Sequence, residues 1–390
     1  MDEIAMTKAY TLAQSASSLM ARAREMTGID LLDSDAVEPL TVLLKSFNEE
    51  SRLHQAGAAA MEKKLLRLLC NRLRMQRDFA AHPEIADQKI EAPIVICGMG
   101  RTGSTKLQKL LAASGDFNWL PYWQSHNPCL HTGSRSETVA PRIREAEEYC
   151  HWFDQSSPEN KYGHAIEAHE PDEESYMLEQ SLRTPCFIGW SELPSYMQWL
   201  AGQDLTAQFT YLRDLLKYLQ WQGLQSEERR WVLKCPLYFG LEPLLLSVFP
   251  DACLVMTHRH PSATIPSSCR LLETFHMPFT HAPIDPKAFF EGTVAQINQH
   301  LQIRRMHDDI RILDLPFLQI VQEPLTVAGK VYNHCGVELR AEAKQKILEW
   351  DNNNPQNKQG VHKYSLADFG FTESDIEEGF KDYIDLISRL

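Results

Sequence analysis

The segment whose residue types and spacing speak most directly of chemistry is Gly98-Met-Gly-Arg-Thr-Gly-Ser-Thr105. Its three glycines let backbone N–H groups approach an anion closely. The run Lys106–Ala113 that follows has a helical pattern, and a helix N-terminus preceded by free amides attracts phosphate-like groups. Two nucleotide-binding patterns overlap here. Gly98, Gly100 and Gly103 spell G-x-G-x-x-G, but a dinucleotide site also needs a second strand with an acidic end about 20 residues on. That region reads Asp116-Phe-Asn-Trp-Leu-Pro-Tyr, a loop. Gly98 and Gly103 also fit G-x-x-x-x-G, which in NTP-binding loops continues with Lys and Ser/Thr to grip the β/γ-phosphates and Mg²⁺. Ser104 stands where that Lys should be, Arg101 brings a cation inside the loop, and Lys106 comes two residues too late.

Other groups of the same kind lie at apparent strand ends. Ala252–Thr257 is an apolar run that leads into His258-Arg-His-Pro-Ser-Ala-Thr-Ile-Pro-Ser-Ser268, with Arg259 and Ser267 eight residues apart. An Arg offers a planar fork to a phosphate, and a Ser near a helix N-terminus adds a donor in a positive dipole field. Trp231-Val-Leu-Lys234 ends a strand on a lysine, and Asn357-Lys-Gln-Gly-Val-His-Lys363 is a polar, basic loop. His164-Ala-Ile-Glu-Ala-His-Glu-Pro-Asp-Glu-Glu174 gathers candidate proton acceptors, of which His is the natural one near neutral pH.

In this combination the chain resembles the PAPS-dependent sulfotransferases (PAPS is 3′-phosphoadenosine 5′-phosphosulfate), and most closely their bacterial, mycobacterial-type branch. The resemblance rests on residues 93–113, 231–270 and 350–370. It implies PAPS as co-substrate, no metal, and in-line transfer of a sulfuryl group to a hydroxyl of a small acceptor. Arg101, Thr102, Gly103, Ser104 and Thr105 would bind the 5′-phosphosulfate, and Arg259 and Ser267 the 3′-phosphate. Lys358, Gly360, His362 and Lys363 would form a lid over it. Arg101 and Lys234 would stabilise charge on the bridging oxygen. In cytosolic members the catalytic His follows the strand-end Lys by two residues, a place held here by Pro236. His164 is then the first candidate base, because a similar His precedes an acidic run in related bacterial enzymes. His169 and Glu170 come next, with His126 and His281 behind them, and Asp172, Glu173 and Glu174 read as first-turn acids that favour a helix dipole. A nucleotide kinase or NTPase, and a module that binds nucleotide without turnover, remain the alternatives.

These groups need a scaffold. Strands are expected at Pro93–Cys97, Trp231–Lys234, Ala252–Thr257, Ile310–Asp314 and Phe317–Val321, alternating with helices at 136–153, 172–184, 206–225, 237–248, 287–309, 326–335, 341–350 and 373–388. That alternation implies an α/β, P-loop-like three-layer fold with a central parallel sheet, plus extra N-terminal and inserted helices. Residues 1–88 read as a helical N-terminal subdomain, with one helical run from Thr41 to Ala81 ended by Pro83 and a basic stretch, Lys63–Arg77, on a solvated face. Residues 89–390 read as the sulfotransferase domain, with a helical insertion at about 120–230.

Composition narrows the partners. The chain has 390 residues, 43% of them hydrophobic and 23% charged, with a net charge of −13, so nucleic acid is not an expected partner. Nine scattered cysteines without a CxxC pair imply neither a disulfide framework nor a zinc site. The N-terminus lacks a signal-peptide profile, and no apolar run reaches the ~18 residues of a membrane span. The expected location is cytoplasmic, with loose membrane association and a homodimer left open. Segments 119–130 and 272–283 carry aromatic, Met and Pro residues beside the donor motifs. They are candidates both for core packing and for an acceptor pocket suited to a hydroxylated lipid, glycolipid, sterol or polyketide-like molecule.

Overall fold

The computed structural model describes residues 9–12, 14–355 and 364–390. The lid candidates Lys358, Gly360, His362 and Lys363 lie outside the described residues. Short runs of Ile, Val, Leu and Cys form four strands: β1 (Ile94–Cys97), β2 (Val232–Lys234), β3 (Cys253–His258) and β4 (Ile312–Pro316). They pair in parallel in the order β2-β1-β3-β4. Ile94 lies opposite both Val232 and Cys253, and Met256 lies opposite Asp314.

The strands are mostly apolar because both faces of the sheet are covered, with polar residues at the carboxyl ends of β2 and β3. Val95, Cys97, Leu233, Leu254 and Met256 pack on one face against Leu212 and Leu216 of helix Thr206–Trp221, Ile265 of helix Pro261–His276 and Ile297 of helix Pro286–Met306. Ile94, Ile96, Val232, Val255 and Leu315 pack on the other against Leu107 and Leu111 of helix Ser104–Ala113 and Val327 and Val331 of helix Pro324–His334. Each such side chain contributes about 1.5–3 kcal/mol by leaving water. The result is three layers, with the loops after β1, β2 and β3 emerging together at the carboxyl edge of the sheet, where open α/β sheets hold ligands.

The expected elements need several corrections. Phe317–Val321 is not a strand but part of helix Phe317–Gln322, an ambiguity inherent in short apolar runs. The Thr41–Ala81 run is broken into Ser34–Glu49 and Gln55–Ala81. Arg52 turns the chain between them at a φ of 48°, and His54 Nδ1 caps the second helix by accepting the Gly57 N–H at 2.9 Å. Region 172–184 holds only the short helix Ser175–Leu178 and a 3₁₀ turn, Glu179–Ser181.

The N-terminal helices share one apolar cluster with the inserted region, in which Leu40, Phe47 and Leu65 pack with Tyr122, Phe153, Trp190 and Tyr196. The basic stretch Lys63–Arg77 is correspondingly not a solvated face. Lys64 and Arg72 are buried; Arg72 pairs with Asp33 and donates to the Gln180 carbonyl at 2.7 Å, and Arg77 donates to the Leu130 carbonyl at 2.9 Å. Charges buried in this way require partners, and here the partners tie the N-terminal helices to the insertion. Among the described residues no helix is long and apolar enough to cross a membrane.

Candidate functional site

The glycines of the loop after β1 meet specific geometric demands. Gly98 has a φ of 132°, and a Cβ there would lie 2.5 Å from the Thr257 carbonyl oxygen, so only glycine lets the loop pass β3. Gly103, at a φ of 89°, caps helix Ser104–Ala113, and its missing Cβ makes room for the Phe317 ring. Thr102 is fully buried; its Oγ1 donates to the Met99 carbonyl at 2.7 Å and lies 2.6 Å from Thr257 Oγ1, which ties the loop to the end of β3. Ser104 and Thr105 open the helix and line a cavity beside Gly100.

Arg101 adopts the left-handed conformation, at a φ of 69°, which in a non-glycine residue costs on the order of 1–3 kcal/mol. Its Nε donates to Ser267 Oγ at 3.0 Å and its Nη1 to the Gly163 carbonyl at 2.6 Å. Tyr364 donates to the same Ser267 Oγ at 2.7 Å. Arg259 donates to the Arg101 carbonyl at 3.2 Å while its guanidinium lies 4.2 Å over the Phe317 ring. The turns after β1 and β3 therefore meet, and two cations stand close together. Burial lowers the Arg101 pKa, with Arg259 adding to the effect and Tyr364 opposing it; an anionic ligand would relieve that repulsion.

Lys234, His164 and the acidic run form a second bonded group, of which His164 and Glu173 line the cavity. Lys234 ends β2 with its side chain 1% exposed; its Nζ pairs with Glu173, and its N–H donates to Glu174 at 2.8 Å. Burial pushes the Glu174 carboxyl up to about 8. His164 Nε2 lies 2.9 Å from Asp172 Oδ1, which also accepts the Glu173 N–H at 2.7 Å. Burial would raise the Asp172 carboxyl, but His164 beside it outweighs that and holds it below the ordinary range. His164 and Glu173 both line the cavity. With Nε2 committed to Asp172, Nδ1 is the nitrogen placed to take a proton, the arrangement of an oriented base.

The remaining base candidates lie elsewhere. His169 pairs with Glu147 on the exposed surface, and Glu170 pairs with Lys109 at 3.0 Å; neither lines the cavity. His126 is buried against Tyr122, and His281 stacks on His54. Lys106, the cation nearest to an NTP-loop lysine, is turned to Asp351 at 2.7 Å.

The cavity has a volume of about 230 Å³ and a mostly apolar wall, including Ile188, Trp190, Leu237, Ile265, Leu271 and Phe275. Of the two segments expected to line it, 272–283 contributes Leu272 and Phe275, whereas 119–130 contributes nothing. Tyr122 and Trp123 instead pack under the N-terminal helices. The first-turn reading of Asp172, Glu173 and Glu174 is corrected too: the helix begins at Ser175, and the three acids precede it and face His164 and Lys234. Sequence reasoning missed Glu173 as a cavity residue because its partner Lys234 is 61 residues away, and Tyr364 because no motif marks it. Among the described residues no group of His, Cys, Asp and Glu is arranged to hold a metal ion.

A model of the sulfotransferase family matches residues 93–341, which takes in the glycine loop, the Lys234 strand end and the Arg259–Ser267 turn. The sulfotransferase STF1 of Mycobacterium tuberculosis H37Rv is 28% identical, with a TM-score of 0.78 over 95% of this chain and 99% of that one. The sulfotransferase STF9 of Mycobacterium avium is 22% identical and shares the fold, with a TM-score of 0.82 over 99% and 98% of the two chains. No curated protein sequence matches. The family match spans the strand ends on which Arg101, Lys234 and Arg259 converge, and the chain belongs to the sulfotransferase family.

Proposed function

We propose that this sulfotransferase takes its sulfuryl group from PAPS and passes it to a hydroxyl of a small, largely apolar acceptor, with His164 as the base. The observation that carries the reading is that Arg101, on the wall of the cavity with His164 and Glu173, donates directly to Ser267. A single adenosine bisphosphate-type ligand would bring its 5′ side to the loop after β1 and its 3′-phosphate to Arg259 and Ser267. Backbone amides from Gly103 to Thr105, the hydroxyls of Ser104 and Thr105, and Arg101 suit the 5′ side. The Thr102 hydroxyl is spent on Thr257 and Met99, so its share is the backbone amide. The lid role of Lys358, Gly360, His362 and Lys363 rests on sequence resemblance alone.

The acceptor oxygen attacks sulfur in line, its S–O bond forms, and the bond from sulfur to the 5′-phosphate oxygen breaks. The charge that collects on the leaving oxygen meets Arg101 and Lys234. The acceptor proton passes to His164 Nδ1, and Asp172 stabilises the imidazolium. The apolar wall keeps water from competing as the nucleophile, and the N-terminal helices buttress that wall. The experiment is PAPS consumption with a panel of phenolic and alcoholic acceptors. Wild-type protein should turn over at least one of them, and His164→Ala should abolish turnover while still binding PAP (adenosine 3′,5′-bisphosphate). Full turnover in His164→Ala would remove His164 as the base.

A further inference from the structure

Away from the donor loop, the cavity wall holds a carboxylate, Glu179, paired with a buried lysine, Lys64, and the transfer reaction uses neither. Glu179 lines the cavity and is 1% exposed, with Oε2 at 2.6 Å from Lys64 Nζ. Its Oε1 accepts the Trp190 indole N–H. Lys64 comes from helix Gln55–Ala81, and its ammonium lies 3.9 Å from the Trp190 ring centroid. Neither Lys64 nor Trp190 is a partner of the donor cluster or of His164. Burial lowers Lys64 to about 8, against the pull of Glu179, so Lys64 stays cationic at neutral pH. A buried ion pair carries an effective penalty of several kcal/mol per ion, and an apolar replacement is often neutral or stabilising. Such a carboxylate in the wall of a mostly apolar cavity, away from the donor loop and His164, points to recognition. A carboxylate has about four acceptor positions, and Oε2 meets Lys64 as an ion pair without completing a hydrogen bond.

The route from the base to this pair is a wall of rings. The His164 and Phe275 centroids are 5.9 Å apart, and those of Phe275 and Trp190 are 5.7 Å apart. Glu179 thus lies two aromatic steps beyond the place where the reacting hydroxyl would sit. We propose that the Glu179–Lys64 pair is the distal recognition element of the acceptor site, selecting elongated, apolar acceptors that carry a second hydroxyl at the end remote from the one sulfated. An acceptor without it would fill the cavity beside Glu179 and offer the carboxylate no hydrogen bond, which is how a polar site rejects an apolar analogue. The inference rests on the acceptor reading of this cavity but not on the identity of the donor.

Calorimetric titration without nucleotide tests it, with 4,4′-dihydroxybiphenyl and 4-phenylphenol as probes. Wild-type protein should bind the diol about 10- to 100-fold more tightly, the range of a hydrogen bond to a charged group. The double variant Lys64→Met/Glu179→Leu, which replaces the pair by apolar groups of similar volume, should lose that preference and bind 4-phenylphenol at least as well as wild type. Wild-type protein that binds both probes equally, or neither, overturns the proposal; so does a double variant that keeps the preference. Should the double variant fail to fold, the wild-type comparison still decides. PAP binding measured on the same samples reads the donor assignment separately: a protein that prefers the diol but ignores PAP would sink that assignment and leave this one standing.

Discussion

Glu174→Gln tests the electrostatics under the Lys234 strand end. Glu174 is wholly buried, and burial raises its carboxyl from 4.5 to about 8, with the Lys234 N–H and the Lys234 charge opposing. In the unfolded chain a Glu titrates near 4.3. Between that pH and about 8 the native state therefore holds the extra proton, and stability falls as pH rises through the window. The shift from 4.5 to about 8, at about 1.36 kcal/mol per unit, gives a penalty of about 5 kcal/mol once the pH exceeds 8. About 2 kcal/mol of it accrues between pH 6 and pH 8. Gln keeps an acceptor for the Lys234 N–H but cannot ionise. Urea unfolding of both proteins at pH 6 and pH 8 should show the variant gaining on wild type by about 2 kcal/mol over that interval. A difference that does not change with pH would refute the assignment of the native proton to Glu174. Glu174 meets the Lys234 backbone N–H, while the Lys234 ammonium is paired with Glu173.

Other substitutions probe the remaining parts. Gly98→Ala forces a Cβ to within 2.5 Å of the Thr257 carbonyl oxygen at a φ of 132°; thermal melting should fall by several degrees and any PAP-induced stabilisation should shrink with it. Thr102→Val strips the hydroxyl that bonds Met99 and Thr257, and urea denaturation should show a loss of about 1–3 kcal/mol. Asp172→Asn leaves His164 without its charged partner at 2.9 Å; steady-state kinetics should show kcat down by tenfold or more with PAP affinity unchanged, whereas His169→Ala, on the exposed surface with Glu147, should leave both untouched.

What the sequence revealed and what it hid divide along physical lines. The glycine loop was legible because backbone conformation writes itself into residue type: Gly98 and Gly103 both hold a positive φ. The strand order was not encoded in any single run, but short apolar stretches between helical ones marked all four strands of the sheet. Phe317–Val321 failed because four apolar residues around one glutamine satisfy a strand and a helix alike. The acidic run was misread because helix-dipole logic is local, while Glu173 and Glu174 answer to Lys234 across the sheet edge. The same blindness to distant partners turned Lys63–Arg77 into a solvated face, although Lys64 ends against Glu179 and Arg72 against Asp33. Segment 119–130 has the composition of a pocket and the position of a core, and only packing tells these apart.

The central claim is that Arg101 and the Arg259–Ser267 turn grip opposite phosphates of one nucleotide. Calorimetric titration with PAP and with AMP, which lacks the 3′-phosphate, measures it most directly. Wild-type protein should bind PAP at least tenfold more tightly than AMP or Mg²⁺-ATP, Arg259→Ala should erase the preference over AMP, and Arg101→Ala should weaken PAP and AMP alike. Equal affinity for PAP and AMP in the wild-type protein, or tighter binding of Mg²⁺-ATP, would contradict it.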